Sequence, residues 1–319
     1  MENPYKKSIL VTGGAGFIGS NFVENLIAEN EITVIDNLSN SAGDRFIKGF
    51  ERRDNFKLIT NDINKDNAFD SLGKFDLVVH FAANPEVNKR YENPDISFDD
   101  INGTKNVLKF MKEKEIKNMI FASSSVVYGD PESIPVKENQ GPYKPISAYG
   151  AYKLASEGMI TAYSHYYGIK AGIFRFANVV GKNQTHGVIL DFINKLKVNP
   201  KELTILGDGT QSKSYIHVSD CVSAIMYLND NIDKTEIINL GNTGMTSVLR
   251  IADIVKEKLG LKDVNYKLSN SEEGRGWKGD VKKIELDTNK SYKMGWKNRY
   301  DSDEAINKAV SEILKQVTE

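Results

Sequence analysis

Cysteine is nearly absent: Cys221 is the only one in 319 residues. A single thiol forms neither an internal disulfide nor a cysteine-based zinc cluster, so the chain fits a reducing compartment. No one sign of charge dominates. Lysine and arginine number 42 against 43 aspartate and glutamate, a net charge of −1. That leaves no electrostatic footprint for nucleic acid or an anionic membrane. Long apolar runs are missing as well. The stretch after Lys7 is broken at once by glycines, too early for a signal peptide or a membrane span. Histidine is scarce. His80, His165, His186 and His217 include no pair with helical metal-ligand spacing, and no carboxylate cluster completes a site with them, so no metal is expected. These absences leave a soluble, cytoplasmic chain of ordinary composition, 40 % hydrophobic and 27 % charged. Its length allows one large or two modest domains.

The first half alternates β-rich apolar runs with helical patterns. Ser8–Thr12, Ile32–Asp36, Phe56–Thr60, Phe75–Ala82, Asn118–Ser123 and Ala171–Phe176 read as strands. Phe17–Glu29 reads as a helix with Phe22, Val23, Leu26 and Ile27 on one face, and Ile96–Lys114 and Gly150–Tyr167 as long helices. Strands as continuously apolar as Leu77-Val78-Val79 suit a parallel sheet covered on both faces. The alternation predicts an α/β fold with a doubly wound parallel sheet of the Rossmann type over residues 1–178. After Val179 glycine-containing loops separate short strands such as Leu203–Leu206 and Glu236–Leu240. Ser302–Gln316 is an amphipathic helix with Ala305, Ile306, Ala309, Val310, Ile313 and Leu314 inward. Residues 179–319 are expected to form a smaller α/β substrate lobe, with an approximate boundary and room for interleaved segments.

Thr12-Gly13-Gly14-Ala15-Gly16-Phe17-Ile18-Gly19 joins the first strand to the first helix, as a dinucleotide fingerprint must. Glycine permits the tight turn, backbone N–H groups approach the pyrophosphate, and the helix N-terminus favours its charge. A glycine triplet alone is weak, since loops are rich in glycine. Asp36 strengthens it by ending the second strand about 20 residues on, where an acid binds the adenosine ribose hydroxyls. An aspartate there repels a 2′-phosphate and favours NAD over NADP.

Tyr149 and Lys153 stand four apart at the start of a helical pattern, on one face. A nearby ammonium stabilises a phenolate, which makes the tyrosine a general base for a sugar hydroxyl. With 14 tyrosines and abundant lysine, chance supplies about one such pair. Tyr166 and Lys170 are that decoy, with Gly168 between them where the helix should end. Only the first pair lies on an unbroken helix. It follows a strand whose end, Ser123-Ser124-Ser125, should open onto the cofactor crevice.

Together these residues resemble the extended short-chain dehydrogenase/reductase family. Within it the chain is most similar to the epimerases that interconvert UDP-glucose and UDP-galactose at C4, the short archaeal type above all. Further markers span nearly the whole chain: Val34–Ser39, Asp62-Ile63, His80–Pro85, Phe121–Gly129, Arg175–Gly181, Gly207–Val218 and Gly279-Asp280-Val281. The resemblance implies bound NAD, with Gly13, Gly16, Phe17 and Ile18 on the pyrophosphate. It places Asp36, Asn37, Ser39 and Asn40 on the adenosine ribose, Asp62 and Ile63 on the adenine, and Phe81, Ala82 and Ala83 on the nicotinamide half. Tyr149, Lys153 and Phe176 also match cofactor-contacting positions. Ser124, four residues before Tyr128, matches the catalytic hydroxyl beside Tyr149 and Lys153. Ser124 and Tyr149 would touch the sugar, Asn178 and Lys213 the diphosphate, and Val188, Thr204 and Leu206 the uridine. A homodimer through the helices Ile96–Lys114 and Gly150–Tyr167 is implied too, and apolar Val107, Leu108 and Met111 are compatible with it and equally with core burial.

The chain departs from the family at several points. Lys213 stands where relatives often carry arginine, which turns a bidentate phosphate contact into a point charge. Trp277 fills the spacing of another substrate arginine, and Arg275 lies two residues earlier as its replacement. Asp100 stands in place of a cofactor-contacting asparagine. Sugar dehydratases carry Asp-Glu after the catalytic hydroxyl and the related decarboxylases a glutamate; Ser125-Val126 supplies neither. C4 epimerisation of a UDP-hexose is therefore the expected activity. Its rivals are UDP-N-acetylhexosamine epimerisation, admitted by Ile284 at the position that gates the 2-substituent, then another nucleotide-sugar dehydratase or epimerase activity, and a non-catalytic NAD-binding role.

Overall fold

The computed structural model describes residues 6–40, 42–84, 96–269 and 272–317; the family marker Pro85 lies outside them. Its centre is a seven-stranded parallel sheet built from β1 (Ser8–Thr12), β2 (Glu31–Asp36), β3 (Phe56–Thr60), β4 (Leu77–His80), β5 (Asn118–Ser124), β6 (Lys170–Phe176) and a strand at Glu236–Leu240. Every residue of β4 is buried, as expected of a strand covered on both faces. Helix α1 (Phe17–Leu26) lies on one face. On the other, α2 (Ile96–Glu113) packs against α3 (Ala148–Tyr167). The spatial order, from the Glu236–Leu240 strand through β6, β5, β4, β1, β2 to β3, reverses direction beside β1. The carboxyl ends of β1 and β4 therefore open a crevice at the switch point.

The second lobe begins with β7 (Asn178–Val180), α4 (Val188–Val198), β8 (Glu202–Leu206), β9 (Ser212–Lys213), β10 (Tyr215–His217) and α5 (Val218–Asp230). The chain then returns to the main sheet as β11 (Glu236–Leu240), which pairs with β6. The sheet is thus completed from beyond residue 178, and the two halves of the chain interleave. Then come β12 (Thr246–Ser247), α6 (Val248–Lys258), β13 (Asn265–Ser269), β14 (Lys283–Ile284), α7 (Asn289–Lys293) and α8 (Ser302–Gln316). Helices α4, α6 and α8 share one apolar core with β8. Leu314 of α8 packs against it only partly buried. Among the described residues no helix is long and apolar enough to cross a membrane.

Two elements are shorter by more than one residue than the sequence pattern predicts. Helix α1 stops at Leu26 instead of Glu29, because side-chain amides take its last carbonyls: Asn30 donates to Leu26 O at 2.9 Å and Asn55 to Ile27 O at 2.6 Å. Strand β4 stops at His80 instead of Ala82. There the Ala82 N–H turns to the Thr12 hydroxyl, 3.2 Å away, and leaves the ladder. The decoy pair separates as expected. Gly168 caps α3 in the left-handed region, so Tyr166 lies in the last turn of α3 while Lys170 starts β6.

A buried ion pair ties α3 to the sheet. Arg175 on β6 donates to Glu157 on α3 at 2.6 and 2.9 Å, and both residues are almost wholly inaccessible. Glu157 also accepts from Ser123, and Arg175 reaches the Tyr128 hydroxyl at 2.9 Å, which itself donates to Asn239 at 2.7 Å. Burial works against the guanidinium charge, but the Glu157 carboxylate outweighs it and holds Arg175 protonated. Replacing one partner strands a buried charge. Glu157→Gln is expected to lower unfolding stability by ~3–5 kcal/mol in denaturant titration; a loss below about 1 kcal/mol contradicts this role.

Candidate active site

The dinucleotide loop is held by close approach. Gly13 has φ +71, and a Cβ there would stand 2.6 Å from Ala82 N. A Cβ on Gly19 would stand 2.2 Å from Gly13 O. The loop is therefore pressed onto the start of the Phe81–Ala83 segment, and only glycine fits. Asp36 turns its carboxylate into this loop: Oδ2 accepts from Ala15 N at 3.0 Å and Oδ1 from Leu38 N at 2.9 Å. Burial raises its pKa, against the pull of those two donors. One lone pair per oxygen stays available for a diol. Nearby, Asn37 Oδ1 accepts from Ser39 N and Asn40 Oδ1 from Ala42 N. Asp62 Oδ1 accepts from Asn64 N, and Asn106 of α2 donates to Ile63 O at 2.9 Å. The residues expected on the adenosine side thus rim one loop cluster at the ends of β2 and β3. Phe81 packs edge-on to Phe22 of α1, with centroids 5.3 Å apart.

The catalytic candidates meet at the end of β5. Ser124 caps a single 3-10 turn, Ser125–Tyr128, its hydroxyl accepting from Val126 N at 3.4 Å. Ser123 is committed to Glu157 and Ser125 is buried, so Ser124 is the partly accessible hydroxyl of the three. The first turn of α3 rests on that 3-10 turn: a Cβ on Gly150 would stand 2.7 Å from Val126 O. Ser147 caps α3 by accepting from Gly150 N at 3.1 Å. Tyr149 is half-buried beside it. Lys153, one turn on, is 2 % exposed and donates to Ala122 O at 2.6 Å. Its ammonium lies 5.5 Å from the Tyr149 ring centroid, 4.9 Å from Phe121 and 5.0 Å from Tyr152. Phe176 pairs in register with Ser124 and closes the same strand ends.

A hydrogen-bond chain links the cofactor crevice to α3. Thr104 Oγ1 gives its proton to Asp100 O, so the neutral His80 donates to it from Nε2, at 3.0 Å. At Nδ1 His80 accepts from the Thr12 hydroxyl, 2.7 Å away, which itself accepts from Ala82 N. Thr104 also accepts from Ser156 of α3. Burial, and then the Lys153 charge, drive the His80 pKa down to about 3.

In the second lobe Lys213 is gripped by Asp280 at 2.6 Å. Asn178 donates to Ser214 O at 3.3 Å. Thr204 and Leu206 share the exposed face of β8, and Val188 opens α4. Arg275 does not stand free to meet a ligand. It donates to both oxygens of Asp130, to Glu273 and to Asp280 O.

A model of the family described as "NAD dependent epimerase/dehydratase family" matches residues 9–241. The chain belongs to this family. It is 37 % identical over 316 residues to a protein of Methanocaldococcus jannaschii provisionally named a UDP-glucose 4-epimerase, covering 95 % of this chain and 97 % of that one. It is similar to a crystal structure of a UDP-galactose 4-epimerase, with TM-score 0.87 and 38 % identity over 97 % of this chain and 99 % of the other. It is also similar to the UDP-N-acetylglucosamine 4-epimerase of Methanobrevibacter ruminantium, solved with UDP-N-acetylmuramic acid: TM-score 0.86 and 29 % identity over 98 % and 99 % of the two chains.

Sequence reading missed the Glu157–Arg175 pair and the role of His80. Arg175 left a signal: a lone charge inside the apolar strand Gly172-Ile173-Phe174-Arg175-Phe176 needs a buried partner. His80 yields a pH prediction. Its ordinary pKa of 6.5 falls on folding, so below that value the unfolded chain binds a proton the folded one does not. Stability should therefore decline as pH drops from 6.5 toward 3, by about 1.4 kcal/mol per pH unit. The parent's denaturant midpoint should fall more steeply than that of His80→Gln from pH 7 to pH 5; parallel curves contradict a neutral His80.

Proposed function

We propose that this protein is a UDP-hexose 4-epimerase that interconverts UDP-glucose and UDP-galactose through a transient 4-keto sugar while NAD stays bound. The observation that carries the reading is the half-buried Tyr149 over the buried Lys153 ammonium, on a helix seated against the Ser124 turn. The residues fit the dinucleotide, because the tight backbone packing at Gly13 and Gly19 admits no side chain and folds the loop at the start of α1, with the Asp36 carboxylate turned into it. Gly13, Gly16, Phe17 and Ile18 would hold its pyrophosphate, and Asp36 the adenosine ribose. NAD, when bound, supplies a reversible hydride acceptor for C4.

The chain's own residues do the rest. Tyr149 takes the proton of the 4-hydroxyl as phenolate, which the Lys153 ammonium stabilises. The Ser124 hydroxyl holds the same substrate oxygen. Lys213 and Asn178 anchor the diphosphate, and Val188, Thr204 and Leu206 hold the uridine, so the hexose is free to turn and present its other face. Elimination needs an additional acid and base, and Ser125 and Val126 offer none. A second reading, epimerisation of N-acetylated UDP-hexosamines, is favoured by Ile284. This modest side chain packs into the wall formed by Val127, Tyr128 and Leu286 and leaves more space than a tyrosine would.

A homodimer through α2 and α3 belongs to the same proposal. Val107, Leu108 and Met111 are spent on the protein's own core. The outward face of α3 carries Ala151, Ala155, Gly158 and Ala162, all exposed, and Phe98 and Tyr166 are exposed on α2 and α3.

Tyr149→Phe is expected to cut kcat by about a hundred- to ten-thousand-fold while NAD stays bound. A fully active variant overturns the assignment. Comparing kcat/KM for UDP-galactose, UDP-N-acetylgalactosamine and the dTDP and GDP hexoses tests the substrate. The account predicts preference for the UDP sugars, and failure of UDP-N-acetylgalactosamine removes the second reading.

A further inference from the structure

Residues 274–280 bring the second lobe against the catalytic helix. Gly279, at φ +89, lies so close that a Cβ would stand 2.9 Å from Ile146 O, just ahead of the cap of α3. Arg275 reaches back to Asp130, beyond the Ser124 turn, at 2.7 and 3.2 Å. Asp280 holds Lys213 with one carboxylate oxygen and accepts from Gly276 N with the other. Trp277 lies in the middle of this strap. Its ring centroid is 5.4 Å from the Lys213 ammonium, and its indole Nε1 is buried without a hydrogen-bond partner. At the root of the strap Gln211 donates to Leu206 O and Gly274 O, while its buried Oε1 also lacks a partner. The other tryptophan, Trp296, does place its N–H, on Ser223 Oγ.

An indole N–H can only donate, and a buried donor left unpaired is costly. Among the described residues none accepts from it, so the N–H is available to an acceptor that a ligand brings. The Lys213 ammonium beside it spends one donor on Asp280 and has two more to offer an anion, while Arg275, engaged with Asp130 and Glu273, turns its guanidinium toward carboxylates. Opening the strap breaks the Arg275–Asp130 pair, whose Asp130 side is 44 % exposed, and such a pair contributes little stability. We propose that Trp277 is a substrate-binding residue whose indole N–H donates to the diphosphate of a nucleoside diphosphate sugar, beside Lys213, when the strap closes. It stands in for the arginine expected at that spacing. The inference rests on the nucleotide-sugar reading above and deepens it.

The test uses the NAD-loaded protein and UDP alone. Trp277→Phe keeps the ring and removes the donor. Its Kd for UDP and its KM for UDP-glucose should rise about tenfold, with kcat and NAD content unchanged. In the parent, UDP should shift the tryptophan emission, and Trp277→Phe should abolish that shift. Unchanged UDP affinity in Trp277→Phe overturns the inference, as does a parent whose emission ignores UDP. Because UDP binding needs no C4 inversion, the two readings fail separately. A protein that binds UDP through Trp277 yet inverts no UDP-hexose keeps this inference and loses the epimerase assignment.

Discussion

The Lys153 ammonium is buried at 2 % exposure and fastened to Ala122 O at 2.6 Å, and much of the site is arranged around that charge. A buried cation is costly unless hydrogen-bonded and faced by electron-rich groups. Here a strand carbonyl and the ring faces of Phe121, Tyr149 and Tyr152 meet it. Its field helps keep His80 neutral, which fixes the direction of the hydrogen-bond chain from Thr12 to Thr104. The same helix face carries Ser156 and Glu157 one turn later. Their bonds to Thr104, Ser123 and Arg175 hold α3 in register with α2 and the ends of β5 and β6.

Two of the places where the second lobe is fastened to this frame differ in their consequences. At the far side, the turn after β7 bridges α1 and α8. Lys182 Nζ binds Glu24 at 2.7 Å, Asn183 donates to Ser20, and Glu312 accepts from Lys182 N and from His217. His217 and Lys308 hold the Glu312 pKa down to about 2 against the opposing effect of its burial, so Glu312 stays charged through the neutral range. At the near side, the 274–280 strap is held by the Arg275–Asp130 pair, with a half-exposed partner. A firm bracket behind and a weak latch in front suit the proposed mechanism, in which a nucleotide sugar is admitted and a reactive ketone then retained.

Some of this was legible in the sequence because local rules and tertiary demands agree there. The glycine loop, the acid ending β2 and the alternating strands specify the same cradle. Gly168 separates the decoy Tyr166–Lys170 pair for a backbone reason readable from one residue. What escaped reading depends on contacts between distant segments. Helix α1 ends early because Asn55, 28 residues from Ile27, takes its carbonyl. The return of Glu236–Leu240 to the main sheet is a matter of pairing that no local pattern announces. Arg275 had the right charge near the right spacing, yet only the fold reveals that Asp130 and Glu273 hold it. Trp277 was visible merely as a departure.

The central claim, reversible oxidation at C4 with return of the same hydride, is tested most directly by isotope retention. UDP-glucose deuterated at C4 is incubated with the protein as isolated, without added cofactor, and the UDP-galactose formed is examined by NMR and mass spectrometry. The account predicts that the deuterium stays on C4 with inverted configuration and that no reduced cofactor accumulates in solution. Loss of the label to solvent, or a 4-keto-6-deoxy product in place of UDP-galactose, would contradict it.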